Sequence, residues 1–391
     1  MRKLLITLST AILATTSLLA ATALVSGQDQ AEAPSVAKLH AWKAYYHAVY
    51  MKQTAADAGG TNKLLNTTEL PSEGTDRVVS PALDHLYSKA IIDLSSGPVY
   101  LKFPTDPADR YFSIHITDQE HYTIYDEIRP TGEYVFIRDG YKGKLKGGAK
   151  VISSPGNYPH LFLRVQVKTL EDKPNVLAIQ KQIKLTGVSK ELNFDNAIQF
   201  TIDTHTIYPE NAGLLASKVD YNADDHKAMF KWAGEYFATR AKHNTGMFGP
   251  IDSKEKGSND PEIRAAALVG HLGLPVHHAY YTGIFNQCDG ERLNGSKPYT
   301  VTMPYEANVK EFWSISRYSA LTRNTLPGKR DVYNAYNTKP NSEGNITITF
   351  SVEDPKDGSY WMPVNDGEPY YYVERFYHPN GRIVTTQDFC K

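Results

Sequence analysis

Tyr111-Phe112-Ser113-Ile114-His115-Ile116-Thr117 decides the fold class, because apolar side chains at 112, 114 and 116 alternate with polar ones at 113, 115 and 117. Successive side chains of an extended strand point to opposite faces, so this run has one greasy and one polar face. Working outward, residues 90–94, 99–103, 122–128, 134–138, 150–153 and 160–168 are further short apolar or alternating runs. Turn-forming residues separate them: Ser96-Gly97-Pro98, Thr105-Asp106-Pro107, Pro130-Thr131-Gly132, Asp139-Gly140 and Gly147-Gly148. Several brief strands at such spacing predict a β-sandwich or barrel, and the missing strand–helix alternation argues against a doubly wound sheet.

The same texture returns beyond His277. Residues 279–285, 299–303, 312–318, 346–352 and 370–377 read as strands, with turns at Asp289-Gly290, Asn294-Gly295, Glu343-Gly344-Asn345 and Asp366-Gly367. This predicts a second, jelly-roll-like β domain. Helical spacing occurs at 35–58, where Leu39, Trp42, Tyr46, Val49 and Tyr50 share a face and Gly59-Gly60 follows as a stop. It recurs at 170–185, 224–243 and 260–272, the last opened by Asp260 and Pro261.

The expected organisation is a leader over 1–27, a helical N-terminal segment over 28–77, a first sandwich over 78–190, a connector with helices over 191–272 and a second sandwich over 273–391. The leader is read from Arg2 and Lys3 ahead of an uncharged stretch, residues 4–25, and from the small residues around Ala21-Thr22-Ala23 and Val25-Ser26-Gly27. A periplasmic or secreted location follows as an expectation, with no membrane span once the leader is removed. In that compartment Cys288 and Cys390, the two cysteines of the chain, are expected to pair. The loop they would close is long enough for about 4–5 kcal/mol of stabilisation.

With 42 Lys and Arg against 43 Asp and Glu, the net charge of -1 gives no long-range pull on nucleic acid. The chain has 26 Tyr against 14 Phe and 4 Trp. Tyrosine suits half-buried strands and also offers flat contact surface for a sugar or a protein. No G-x-S-x-G elbow, Walker loop, H-E-x-x-H or C-x-x-C occurs, which argues against a standard serine hydrolase, an NTPase and a structural zinc protein. No cofactor is implied. His115 and His121 share a strand face but lie roughly 20 Å apart on a straight strand, too far for one metal ion. No metal site is expected.

Several clusters could carry chemistry. Asp84, His85 and Tyr87 offer an acid–base pair beside a phenol; the blander reading has Asp84 capping a turn and His85 on the surface. Of the neighbours His277 and His278, one can line a cleft. Phe312, Ser314, Ser316 and Tyr318 share one face, while Trp313, Ile315 and Arg317 read as core ending in a snorkelling arginine. Residues 360–363 and 370–377 add aromatics together with Glu374 and Arg375, a set that suits a carbohydrate or carboxylate site and equally suits core packing.

These motifs resemble the exported bacterial proteins that join two domains of unknown function, numbered twelve fifty-four and twelve fourteen. The first is matched by Val79-Ser80-Pro81 through Leu86-Tyr87-Ser88, Asp93-Leu94, Pro98-Val99, Arg110-Tyr111, Asp118, Tyr125, Arg129 and Thr131-Gly132. The second is matched by Leu293-Asn294-Gly295, Phe312-Trp313-Ser314, Tyr318, Trp361 with Pro363, and Arg375-Phe376-Tyr377. At Ala82, His85 and Glu127 the chain departs from that pattern, where Asn, Thr and Gly are usual. The resemblance implies two stacked β-sandwiches with a small helical part, and no agreed activity.

Two functions are open at this point. One is an envelope protein binding a glycan or an envelope partner through a Tyr-rich cleft, with Asp84, His85, Asp118, Tyr318 and Arg375 as candidate ligand contacts. The other is a lyase-like enzyme on anionic polysaccharide, with Tyr87, His115, Tyr125 and Arg129 as candidate catalytic groups. There Tyr or His abstracts a proton beside a carboxylate that Arg neutralises. An oligomer is compatible with either. The lyase reading expects Arg129, Tyr125 and His115 to converge in one cleft.

Overall fold

The computed structural model describes residues 34–72, 80–104, 110–118, 122–192 and 272–390, except positions 35 and 327–328, plus a few positions between 224 and 249. The expected leader and almost all of the expected helices at 224–243 and 260–272 lie outside the described residues.

The N-terminal helix runs Val36–Ala58. It stops at Gly59 and Gly60, both at positive φ; the Gly60 amide donates to the Ala55 carbonyl at 2.7 Å. A Cβ on Gly60 would lie 2.3 Å from Ser189 Oγ and 3.1 Å from the Lys190 carbonyl, so only glycine fits this close approach.

The first domain pairs two sheets. One is ordered β1-β2-β8-β4-β5, from Leu65–Asn66, His85–Ile91, His160–Gln166, Phe112–Thr117 and Thr123–Ile128. The other is ordered β7-β6-β3-β9, from Lys150–Ser154, Glu133–Arg138, Val99–Lys102 and Lys184–Thr186. Alternation places Leu86, Phe112, Ile114, Ile116, Leu161, Leu163 and Val165 inward, against Val99, Leu101, Phe103, Tyr134, Phe136 and Ile152 of the facing sheet. Burial of these side chains from water is the main force holding the layers together.

The second domain repeats the plan with β10-β16-β12-β13 (Ala279–Ile284, Tyr370–Tyr377, Trp313–Ser319, Val332–Asn334) over β11-β14-β15 (Tyr299–Pro304, Asn345–Ser351, Tyr360–Pro363). Its core includes Trp313, Ile315, Ile346, Ile348, Phe350, Tyr370, Tyr372 and Phe376. Cys288 and Cys390 form a disulfide that ties the final turn, Thr386–Phe389, to the loop after β10.

Three sequence expectations are corrected. The 170–185 helix is shorter: it spans Lys173–Gln182, and Lys184–Thr186 is a strand. Ile183 leaves the helix in an extended conformation, and Leu185 pairs with Leu101; two apolar residues two positions apart share a strand face and not a helix face. The second strand begins at His85 rather than Ala90, so Asp84-His85 is no surface turn; His85 is 0% exposed. Arg317 does not snorkel. It is fully buried and paired with Asp331.

Both domains also bury their polar sheet faces. All seven positions of β2, β8 and β12 and all six of β4 are buried. Part of the polar face of the first domain lies under the N-terminal helix: Ala48, Met51 and Ala55 pack on Ile91, while Tyr50 packs with Tyr87 and Phe162. The rest lies against the second domain. Tyr111 packs with Leu274, Ala279, Phe312 and Tyr377, and Leu83 with Tyr318 and Tyr371. A period of two sorts side chains onto faces and is silent on what covers each face.

Candidate functional site

The seam between the sandwiches is the richest polar layer among the described residues. Strand register aligns Tyr87, Arg164 and Ser113 across β2, β8 and β4. On the facing sheet it aligns Tyr281, Arg375 and Ser314 across β10, β16 and β12. Each domain thus offers one row with a tyrosine, an arginine and a serine. Arg164 donates through Nη2 to the Leu272 carbonyl at 2.6 Å and lies over the Phe162 ring. Arg375 donates through Nη2 to the Ser80 carbonyl at 2.7 Å and to Tyr318 Oη at 3.0 Å.

Asp84 and His85 enter this layer from the start of β2. Asp84 Oδ1 lies 3.1 Å from His85 Nδ1, without hydrogen-bond geometry. Burial alone would raise the Asp84 carboxyl, but His85 and Arg375 outweigh it and hold it below its ordinary range. Burial lowers His85 against the opposing pull of Asp84, with Arg164 and Arg375 adding to the lowering. Its ring meets Tyr111 and Tyr377 edge-on at 5.3 Å each. Ser314 Oγ approaches Asp84, yet neither side chain completes a hydrogen bond.

A hydrogen-bonded chain crosses the seam beside it. His278 Nδ1 donates to Asp126 Oδ2 at 2.8 Å, leaving Nε2 to accept from the Tyr111 hydroxyl at 2.9 Å. His277 Nε2 donates to the same carboxylate at 3.0 Å from an exposed position. Desolvation would raise Asp126, but the two imidazoles hold it well below the carboxylate range.

The candidates of the lyase reading are not brought together. His115 is buried; its Nε2–H donates to Thr123 Oγ1 at 2.9 Å, and Thr123 in turn donates to the Phe248 carbonyl at 2.5 Å. Burial, with Arg164 nearby, holds this imidazole well below its usual range. Tyr125 bonds Glu127 on the flank of the first domain, where Tyr134 and Lys150 join the same carboxylate. Arg129, at φ 55°, is 47% exposed and forms a two-pronged pair with Glu311 of the second domain at 2.9 and 3.0 Å. Tyr87 bonds back to Ala82 within its own turn.

Of the ligand-contact candidates, Asp84, His85, Tyr318 and Arg375 meet at the seam. Asp118 instead closes the β4–β5 hairpin, accepting from the Tyr122 amide at 2.9 Å. Arg164 and Ser113 were missed by the sequence reading. Their signal is polar residues on one face of two strands at once, at 113, 115 and 117 and, interrupted by Phe162, at 160, 164 and 166.

A second feature opens to solvent on the second domain: a groove of about 420 Å³ beside the edge strand β15. Tyr333, Tyr360 and Trp361 line it together with Lys329, Arg330 and Asp354. The Tyr333 and Tyr360 rings are 5.1 Å apart, and Arg330 lies 5.3 Å above the Tyr333 ring. Hydrogen bonds fix the platform: the Tyr333 hydroxyl donates to the Trp361 carbonyl at 2.6 Å and Trp361 Nε1 donates to the Ser351 carbonyl at 3.0 Å. Met362, opposite in direction to Trp361, is fully buried and anchors the strand, and Tyr333 is itself 7% exposed.

Among the described residues no group of three His, Cys, Asp or Glu side chains could hold a metal ion, and no helix is long and apolar enough to cross a membrane.

Residues 61–187 match the family described as Protein of unknown function (DUF1254), and residues 278–381 match Protein of unknown function (DUF1214). The crystal structure of the VPA0106 protein from Vibrio parahaemolyticus superposes with a TM-score of 0.66 at 18% identity, over 90% of this chain and 96% of that one. That of an uncharacterized protein from Burkholderia cenocepacia gives 0.51 at 12% identity, over 87% and 84%. At these identities the likeness is one of fold. No curated protein matches the chain.

Proposed function

The chain belongs to the proteins that join a DUF1254 domain to a DUF1214 domain; membership brings the fold without an activity, and we propose that this one is an exported envelope protein that binds a glycan in its aromatic groove. The observation that carries the reading is the open groove in which Tyr333, Tyr360 and Trp361 sit beside two cations and one carboxylate. Sugar rings offer flat C–H faces that pack on aromatic side chains and hydroxyls that need charged or polar partners. Lys329 and Arg330 outnumber Asp354 in the lining, which favours an acidic glycan over a neutral one. Work outside the cytosol is supported by the Cys288–Cys390 disulfide and by the leader-like run at 4–25.

Binding is favoured over lyase chemistry because Arg129, Tyr125 and His115 occupy three separate surroundings. The test is tryptophan quenching and calorimetry with a panel of uronate polymers and neutral glucans. The acidic polymers are expected to bind, and Trp361→Ala to weaken them about 30-fold, the cost of roughly 2 kcal/mol for truncating a central aromatic contact. Equal binding by wild type and Trp361→Ala, or release of unsaturated sugars from any polymer, would refute the reading.

A further inference from the structure

We propose that the seam between the two sandwiches is a second binding site, for a small carboxylate held between Arg164 and Arg375. This goes beyond the groove reading and rests on different residues. Both arginines are buried, at 6% and 4% exposure. Neither forms an ion pair with a described Asp or Glu within 4.0 Å. In both, Nη2 is committed to backbone carbonyls while Nη1 is buried without a hydrogen-bond partner. A guanidinium cannot shed its proton at physiological pH, and a buried guanidinium with a donor left unpaired is a costly arrangement.

The hydroxyls of Ser113 and Ser314, beside the arginines in their respective rows, are also buried and unpartnered. Two cationic donors and two hydroxyls therefore lack partners in one layer. Asp84 balances one arginine. The other acids of the seam are already engaged, Asp126 by His277 and His278 and Glu311 by Arg129. The two open guanidinium donors and two open hydroxyls call for an acceptor with two oxygens, and a carboxylate supplies them, each able to accept from a guanidinium and a hydroxyl. At the rim of the seam, Arg129 and His277 are 47% and 59% exposed in their side chains and mark a solvent edge.

The carboxylate could belong to a small free acid or to a sugar acid, and the experiment separates the two. Thermal unfolding and calorimetry of the full chain are run with sodium acetate, sodium glucuronate, glucose, sodium sulfate and sodium chloride at matched ionic strength. Acetate or glucuronate is expected to raise Tm and bind saturably; a preference for glucuronate assigns a sugar acid, and a preference for acetate a small free acid. Arg164→Gln is expected to weaken that binding about 10- to 100-fold, as loss of a charged hydrogen bond does. If that variant fails to fold, Ser113→Ala with Ser314→Ala decides, since it removes only unbonded hydroxyls; a loss of several-fold is expected. Trp361→Ala should leave acetate binding unchanged, so failure of the groove reading and of this one can be told apart. Stabilisation by chloride or sulfate equal to that by the carboxylates would overturn the proposal. So would unchanged affinity in whichever of the two variants folds.

Discussion

Replacing Glu374 by glutamine should flatten the dependence of stability on pH across the neutral range. Glu374 is fully buried on β16, and its Oε1 accepts from the Thr386 amide at 3.0 Å and from the Thr386 hydroxyl. Burial raises this carboxyl from 4.5 to about 7, against the pull of the Thr386 hydrogen bonds. Between those values the folded chain keeps a proton that the unfolded chain has released. Stability is therefore fully present below about pH 4.5 and falls as pH rises toward 7, levelling off above. At about 1.4 kcal/mol per pKa unit the loss is about 3 kcal/mol. The amide that replaces the carboxyl in Glu374→Gln is neutral at every pH and can still accept from Thr386. Urea unfolding at pH 5, 6, 7 and 8 and constant ionic strength measures the difference between the two proteins. The gap should move by about 2 to 3 kcal/mol in favour of Glu374→Gln from pH 5 to pH 8, since part of the change lies below pH 5. Parallel profiles would refute the reasoning.

Reduction of the disulfide, or Cys390→Ser, should cost about 4–5 kcal/mol, the value for closing a loop of this length, and should free the turn Thr386–Phe389; thermal melts with and without reductant measure it. Arg110 holds Asp172 through two hydrogen bonds, at 2.5 and 2.7 Å. Against desolvation, the Arg110 hydrogen bond and its companions lower Asp172 from 3.8 to about 2. This pair contributes stability above pH 3.8 that is lost as pH falls toward 2. Arg110→Met should cost about 3 kcal/mol at pH 7, the low end for breaking a largely buried pair, and less at pH 2, as acid unfolding curves would show.

The two sandwiches were legible because alternation is a local property. Phe112, Ile114 and Ile116 declare an inward face whatever lies beyond it. The stop at Gly59-Gly60 was legible for the same reason: an αL cap is chemistry of the two residues themselves. The seam was not. Asp84 and His85 look like a surface turn when polarity is equated with solvent, and the second domain, with Phe312 and Tyr377 against the His85 ring, buries them. Arg317 misled in the same way, since its partner Asp331 lies 14 residues on, across a β-hairpin. The sequence singled out Asp84, His85, Tyr318 and Arg375 as residue types able to hold a ligand. Nothing in their spacing said that strands from two domains bring them to one layer. Arg164 was passed over because Phe162 interrupts the polar set His160, Arg164 and Gln166 on its strand.

If the sandwiches share a buried polar layer rather than merely touch, they must open as one unit. Hydrogen exchange by mass spectrometry across a urea series reports this directly, with peptides from β4 and β8 followed beside peptides from β12 and β16. Opening one domain would expose the aromatic contacts of Tyr111 with Phe312 and Tyr377 and of Leu83 with Tyr318 and Tyr371, so all four strands should lose protection at one common urea concentration. Loss of protection in the first domain while β12 and β16 stay closed would contradict it.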